Sequence, residues 1–192
     1  MTEPFDLASL KKRLLLADAQ LSSQVGLPIA SVAIIIATKH QGGSVLLIKR
    51  TERGGDPWSG QIGFPGGHKS PTDLDFLHTA IREAEEEVGI KLSREELLGS
   101  LPIVATRSRR VQVASFVFQL ESTVTVVMNS EVAESFWVPL NQLSRLEVKR
   151  RTVKVEEGEL QVSCYEYEDR VIWGLTFRLL NLLLDRMPED EL

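Results

Sequence analysis

The spacing of hydrophobic and polar positions divides the chain into predicted strands and helices. Residues 31–37 are apolar on both faces, which is typical of a central strand, and Ser44–Arg50 follows a glycine-rich turn as its hairpin partner. Apolar positions three and four residues apart predict amphipathic helices over about 6–21, 71–88 and 170–186. Further strands are predicted near 101–105, 111–120 and 160–167. This mixture of strands and helices indicates an α/β domain.

The helix predicted over 71–88 has two separate faces. Ser70 is a good N-cap, Pro71 suits the first helical position, and Gly89 suits the residue after the last turn. One face is apolar, with Leu74, Leu77, Ile81, Ala84 and Val88. The other gathers three carboxylates, because positions i, i+3 and i+4 are neighbours on a helix: Glu83, Glu86 and Glu87.

Two interpretations of this acidic face have to be weighed. An acidic run is most often a solvated surface, although such a surface normally mixes its charges and this helix has one cation, Arg82. The alternative is a site for a hard cation, because Mg²⁺ or Mn²⁺ prefers oxygen ligands and offsets the repulsion between carboxylates. The glycine-rich turn just before the helix allows close backbone approach beside such a site.

The residues over 82–90, Arg-Glu-Ala-Glu-Glu-Glu-Val-Gly-Ile, fit REUXEEXGU at every specified position. This pattern is the C-terminal half of the Nudix box, and the chain therefore resembles the Nudix hydrolase superfamily, with a box over 67–90. The complete box, GX5EX7REUXEEXGU, would put a Glu at position 74, where this chain has Leu74. A loop longer by one residue explains the departure, with Asp73 standing in for that Glu.

Composition narrows the choice of partners. The chain has 192 residues, which favours a single domain over 1–192, and its net charge of −5 argues against nucleic acid and anionic membranes as partners. Cys164 is the one cysteine, so neither a disulfide framework nor a thiolate metal site is expected. No signal peptide or spanning segment is visible, which predicts a cytoplasmic protein.

Two further stretches resemble the coenzyme A pyrophosphatases within this superfamily. They are 46–51 leading to the Phe-Pro-Gly-Gly turn over 64–67, and Ile-Trp-Gly-Leu-Thr over 172–176, so the likeness spans most of the chain. The subgroup signature carries an Arg four residues before the glycine that matches Gly60, whereas this chain has Asp56 there. Arg53 is the nearby candidate to replace it.

The resemblance implies a Nudix α/β/α sandwich with a mixed central β-sheet, and it implies hydrolysis of a nucleoside diphosphate joined to another group. Mg²⁺ or Mn²⁺ would be held by Glu83, Glu86, Glu87 and the Gly67 carbonyl, with a box Glu or Glu131 as general base. Arg82 would orient a box Glu. The substrate-binding candidates are Arg50, Arg53, Phe64, Gly66 and Arg107. Family members often dimerise, so a homodimer is one expectation.

Three functions stay open at this point. The first is hydrolysis of coenzyme A, and the second is hydrolysis of another diphosphate such as a nucleoside triphosphate, NADH or ADP-ribose. The third is a non-catalytic binding module. Such a module would be expected to lack box carboxylates, and this chain has lost none of them. A P-loop over 63–70 is rejected, because His68 replaces its second glycine and Pro71 removes a backbone donor from the first turn.

Overall fold

The computed structural model describes residues 6–14, 29–39, 42–56, 58–106, 111–155 and 158–187. The helices are α1 (Leu7–Arg13), α2 (Phe76–Val88), α3 (Leu140–Leu143) and α4 (Gly174–Leu184), with a 3₁₀ turn over Arg94–Glu96. The strands are β1 (Ile29–Ala37), β2 (Ser44–Arg50), β3 (Ile62–Gly63), β4 (Gly66–His68), β5 (Leu97–Ala105), β6 (Gln112–Leu120), β7 (Val132–Pro139), β8 (Lys149–Val155), β9 (Gly158–Tyr167) and β10 (Arg170–Trp173).

The larger sheet is mixed, as the resemblance implied. Its strands run in the order β3-β2-β1-β6-β5, while β4 pairs with β1 and β7 pairs with β2. The β1–β6 pair is parallel and the other pairs of this sheet are antiparallel. A second sheet has the order β10-β9-β8. The strand predicted to be central, β1, lies between β2 and β6, which confirms that prediction.

The core forms on both faces of the large sheet because β1 and β2 are apolar at successive positions. Ala33 and Ile35 pack in the cluster that contains Leu77, Ala84 and other residues of α2. The alternate residues, Ile34 and Ile36, pack in the cluster that includes α1 and α4. Side chains of successive strand residues point to opposite faces, so this division gives the helix–sheet–helix layers that the resemblance implied.

The helix that carries the box begins later than the sequence suggested. Its N-cap is Asp75, whose carboxylate accepts the backbone N–H of His78 at 2.6 Å, and Ser70 and Pro71 lie in a preceding turn. Asp73 is buried and closes that turn by accepting the Ser70 N–H at 2.8 Å. Leu74 is therefore 84% exposed and does not belong to the apolar stripe. Gly89 ends the helix in the left-handed region, as predicted.

The two terminal helices are shorter than predicted. Asp6 caps α1 as expected, but the helix ends at Arg13 because Leu14 is extended, and the predicted residues 15–21 lie outside the described ranges. The helix predicted over 170–186 begins only at Gly174, because residues Arg170–Trp173 pair with β9 as a strand. β-Branched and aromatic side chains at 171–173 favour that strand. None of the described helices has the length and apolarity needed to cross a bilayer.

Candidate active site

The acidic face of α2 lies against the glycine-rich strand β4, which pairs with the edge of β1. Gly66 donates its backbone N–H to Glu87 Oε2 at 2.8 Å. A Cβ at Gly67 would lie 2.4 Å from Glu83 Oε1, so any larger residue there would displace that carboxylate. The Phe-Pro-Gly-Gly turn and the box helix are therefore parts of one site.

Glu87 is the most deeply buried carboxylate of this face. Its side chain is 2% exposed and makes a long contact with Arg50, at 3.4 Å between Oε1 and Nη1. Burial raises the pKa of Glu87 to about 7, and the charges of Glu83 and Glu131 act in the same direction. The Gly66 N–H and Arg50 oppose that rise. The Glu87 carboxylate is consequently able to exchange a proton near neutral pH.

Arg82 joins the other two carboxylates of the face. Its Nη1 lies 2.9 Å from Glu83 Oε1 and 2.8 Å from Glu86 Oε2. Burial raises the pKa of Glu83, against the lowering effect of Arg82, and the negative charges of Glu86 and Glu131 raise it further. Glu83 and Glu86 thus share one guanidinium while their mutual repulsion remains. Arg82 therefore lies within hydrogen-bonding distance of both carboxylates, as the orienting role predicted for it would require.

Asp73 holds Arg82 from the opposite side. Its two carboxylate oxygens accept Nε and Nη2 of Arg82, each at 2.9 Å, in a bidentate pair. Thr79 adds a hydrogen bond from its hydroxyl at 3.0 Å. The Arg82 hydrogen bonds keep the pKa of Asp73 far below its usual range, so the carboxylate stays ionised. Asp73 therefore fixes the Arg82 guanidinium beside Glu83 and Glu86, and its substitution for the first Glu of the box stays a prediction.

Arg50, the last residue of β2, and Arg53, in the loop that follows, approach the site. Arg50 contacts Asp56 Oδ2 through Nη2 at 3.1 Å, in addition to its contact with Glu87. Arg53 donates to the Ser130 carbonyl at 2.9 Å and lies 3.5 Å from Glu131. Glu131 raises the pKa of both Glu83 and Glu87, so its charge is close enough to act on each. Both arginines and Glu131 therefore belong to the surroundings of the acidic face.

Of the predicted substrate contacts, Phe64 is not brought to this site. The Phe64 side chain is buried in the core cluster that includes α4, so only the backbone of that residue continues into the turn. Arg107 lies outside the described ranges. The sequence reasoning also missed that Asp56 binds Arg50. The signal was present in the sequence, because a carboxylate stands where the subgroup signature has an arginine.

The donor set of the acidic face suits a hard divalent cation in its chemistry. Glu83, Glu86 and Glu87 supply oxygens, which Mg²⁺ and Mn²⁺ prefer. Burial raises the pKa values of Glu83 and Glu87, and a cation beside these carboxylates would favour their ionised forms. Over the described ranges, however, no three acidic, histidine or cysteine side chains are gathered tightly enough to enclose a metal. Arg82 and Arg50 bind these carboxylates instead.

The arrangement places a carboxylate-rich helix directly beside a glycine turn. The family model described as NUDIX domain matches residues 27–157. An uncharacterized Nudix hydrolase NudL of Yersinia enterocolitica is 35% identical over 132 residues, which are 67% of this chain and 67% of the relative. The chain belongs to the Nudix hydrolase family.

One further relative and two solved structures are also similar to this chain. A probable nudix hydrolase of Schizosaccharomyces pombe is 28% identical over 85% of this chain and 57% of its own length. A MutT/nudix family protein from Enterococcus faecalis has a TM-score of 0.56 at 16% identity, covering 92% of this chain and 71% of that one. The NUDIX domain of Shewanella oneidensis NrtR, solved with ADP ribose, gives 0.51 at 18% identity, with coverages of 68% and 87%. These two structures support the fold.

Proposed function

We propose that this Nudix hydrolase cleaves the diphosphate linkage of coenzyme A or its derivatives, giving 3′,5′-ADP and 4′-phosphopantetheine. The observation that carries the proposal is the complete set of box carboxylates, held by Arg82 and Arg50 beside Gly66 and Gly67. The coenzyme A part of the proposal rests on the resemblance of residues 46–51, 60–67 and 172–176 to that subgroup.

A divalent cation held by Glu83, Glu86, Glu87 and the Gly67 carbonyl would neutralise phosphate charge and lower the pKa of a bound water. Arg82 keeps Glu83 and Glu86 side by side and is itself fixed by Asp73. The Arg50 guanidinium contacts Asp56 at 3.1 Å and Glu87 at 3.4 Å, so it would exchange the Asp56 contact for a phosphate. Arginine suits this role through its bidentate geometry.

The general base has two candidates. Glu87 is the buried candidate: without a cation, burial raises its pKa to about 7, and a bound cation would lower that pKa. Glu131 lies in the turn before β7 with a half-exposed side chain, so it can approach a water without first leaving the core. Glu131→Gln separates the two. A loss of turnover that leaves metal affinity intact assigns the base to Glu131, whereas wild-type turnover leaves Glu87 as the base.

The test is product analysis by mass spectrometry with Mg²⁺ or Mn²⁺ and equal concentrations of coenzyme A, acetyl-coenzyme A, NADH, ADP-ribose and nucleoside triphosphates. We expect preferential release of 3′,5′-ADP from coenzyme A. Glu83→Gln is the inactive control and Glu85→Gln, on the exposed side of α2, is the matched active control. Strong hydrolysis of another substrate with none of coenzyme A would overturn the substrate assignment. Silence on all of them would favour a binding module.

A further inference from the structure

A cleft of about 580 Å³ opens beside the acidic face, between the loop over 55–61 and the smaller sheet. Lys49 of β2 and Glu134 of β7 lie on one side of it, and β8 contributes residues 153–155. Strand β10 contributes Arg170 and Trp173. This volume is within the range of pockets that hold nucleotide-sized ligands.

Two ion pairs that share Arg50 connect the cleft to the acidic face. Asp56 lines the cleft and binds Arg50 at 3.1 Å, and Arg50 contacts Glu87 of the acidic face at 3.4 Å. If the diphosphate of a ligand lies at the acidic face, the group attached to that diphosphate can therefore reach the cleft.

The lining of the cleft combines apolar surface with two available cations. Val153, Val155 and Trp173 supply the apolar part, and Trp173 is the one aromatic side chain among the described lining residues. Arg170 is engaged, because it pairs with Glu134 and Glu168 and lies 4.4 Å from the Phe136 ring centre.

Lys49 and Lys154 differ from Arg170 in their ion pairs. Neither forms an ion pair within 4 Å of a carboxylate in the described part of the chain. Lys49 lies opposite Glu134 in the β2–β7 ladder, but the Glu134 carboxylate is bound to Arg170. Two ammonium groups without a close partner at one cleft, in a chain of net charge −5, are suited to an anionic group on the ligand.

We propose that this cleft holds the nucleoside half of the substrate, with the base against Trp173 and a second phosphate on the ribose bound by Lys49 and Lys154. The preferred ligands are then nucleotides that carry a ribose phosphate in addition to the diphosphate. This inference rests on the proposed function only for the position of the diphosphate at the acidic face. It makes Lys49, Lys154 and Trp173 determinants of specificity.

The test uses adenosine 3′,5′-bisphosphate and AMP as probes, because they differ by one ribose phosphate and neither contains a diphosphate bond. Isothermal titration calorimetry with the full chain should give about tenfold tighter binding of the bisphosphate, the size of one charged hydrogen-bonded contact. Lys49→Met and Lys154→Met should each bring that ratio toward one. Arg150→Met, an exposed cation of the same strand β8 outside the cleft lining, should leave it unchanged.

Equal affinities of the wild-type protein for the two probes, or equal losses for both probes in the lysine variants, would overturn the proposal. Trp173→Phe keeps an aromatic face and should bind both probes, whereas Trp173→Leu should weaken both. Hydrolysis of coenzyme A compared with dephospho-coenzyme A separates this inference from the proposed function. If the protein hydrolyses both coenzyme A and dephospho-coenzyme A but binds the bisphosphate and AMP equally, only the cleft assignment is refuted. A probe preference without any turnover of coenzyme A refutes the proposed function alone.

Discussion

Glu87→Gln gives the sharpest test of how the acidic face works, because the change removes a charge and keeps the shape. The Glu87 side chain is 2% exposed and accepts the Gly66 N–H at 2.8 Å. A glutamine carbonyl oxygen can accept the same hydrogen bond, so the β4–α2 contact should survive. The ability to bind a cation and to take up a proton should be lost.

The pKa of Glu87 gives the expected size of the effect on stability. Burial raises that pKa from 4.5 to about 7 in the folded protein. The unfolded chain therefore binds fewer protons than the folded chain between these values, and stability falls as pH rises from about 4.5 to about 7. A difference of about 2.5 pH units corresponds to about 3 kcal/mol at 1.36 kcal/mol per unit. The glutamine variant should lack this contribution.

The assay is urea unfolding between pH 5 and pH 8 in EDTA, so that no divalent cation is bound. As the pH rises over this range, the free energy of unfolding of the wild-type protein should fall by up to about 3 kcal/mol more than that of Glu87→Gln. Turnover with Mg²⁺ at pH 8 should fall at least about a hundredfold in the variant, since a metal ligand supplies several kcal/mol. Glu85→Gln, on an exposed part of the same helix, is the control for both measurements.

Two results would refute this reasoning. Turnover of Glu87→Gln within a few-fold of wild type would show that the Glu87 carboxylate neither binds the cation nor accepts the proton. Parallel pH dependences of unfolding in the wild-type protein and in Glu87→Gln would show that the buried carboxylate is not the group that titrates.

Four further outcomes follow from contacts in the same region. Gly66→Ala should lower the free energy of unfolding by about 1–3 kcal/mol in urea denaturation, because its Cβ would overlap the backbone of β1, whereas Gly67→Ala should mainly lower turnover by displacing Glu83. Asp73→Asn should weaken the hold on Arg82 and lower kcat more than it raises KM in steady-state assays. EDTA should abolish turnover, and added Mg²⁺ or Mn²⁺ should restore it; full activity in EDTA would contradict the cation site.

The box helix and the central strands were predictable because their signals are local. Residues 31–37 are apolar on both faces, and only a strand covered on both sides satisfies that pattern. The i, i+3, i+4 spacing of Glu83, Glu86 and Glu87 fixes their common face once a helix forms, and Gly89 marks where that helix ends. None of these inferences depends on contacts between residues distant in the sequence.

The start of the box helix and the end of the chain depended on distant contacts, and the prediction was wrong there. Ser70 and Asp73 form a local capping pattern, but Arg82 binds the Asp73 carboxylate from nine residues away and Asp75 becomes the cap instead. At the other end, apolar spacing favoured a helix from 170. Pairing of Ile172 with Tyr165 of β9 made that segment a strand. The spacing of apolar residues within the segment does not predict such pairing.

The same argument explains why the substrate contacts were harder to assign than the carboxylates. Arg50 was expected to meet phosphate because arginine at a strand end is suited to it, yet its guanidinium lies between Asp56 and Glu87. A phosphate must therefore compete with a carboxylate for this cation. The chain has a net charge of −5, and among the residues that the structure describes, each guanidinium in contact with the acidic face or Glu131 already has an anionic partner: Arg82, Arg50 and Arg53. Substrate binding by these arginines then requires an exchange of ion pairs, and added cations at the carboxylates would favour that exchange.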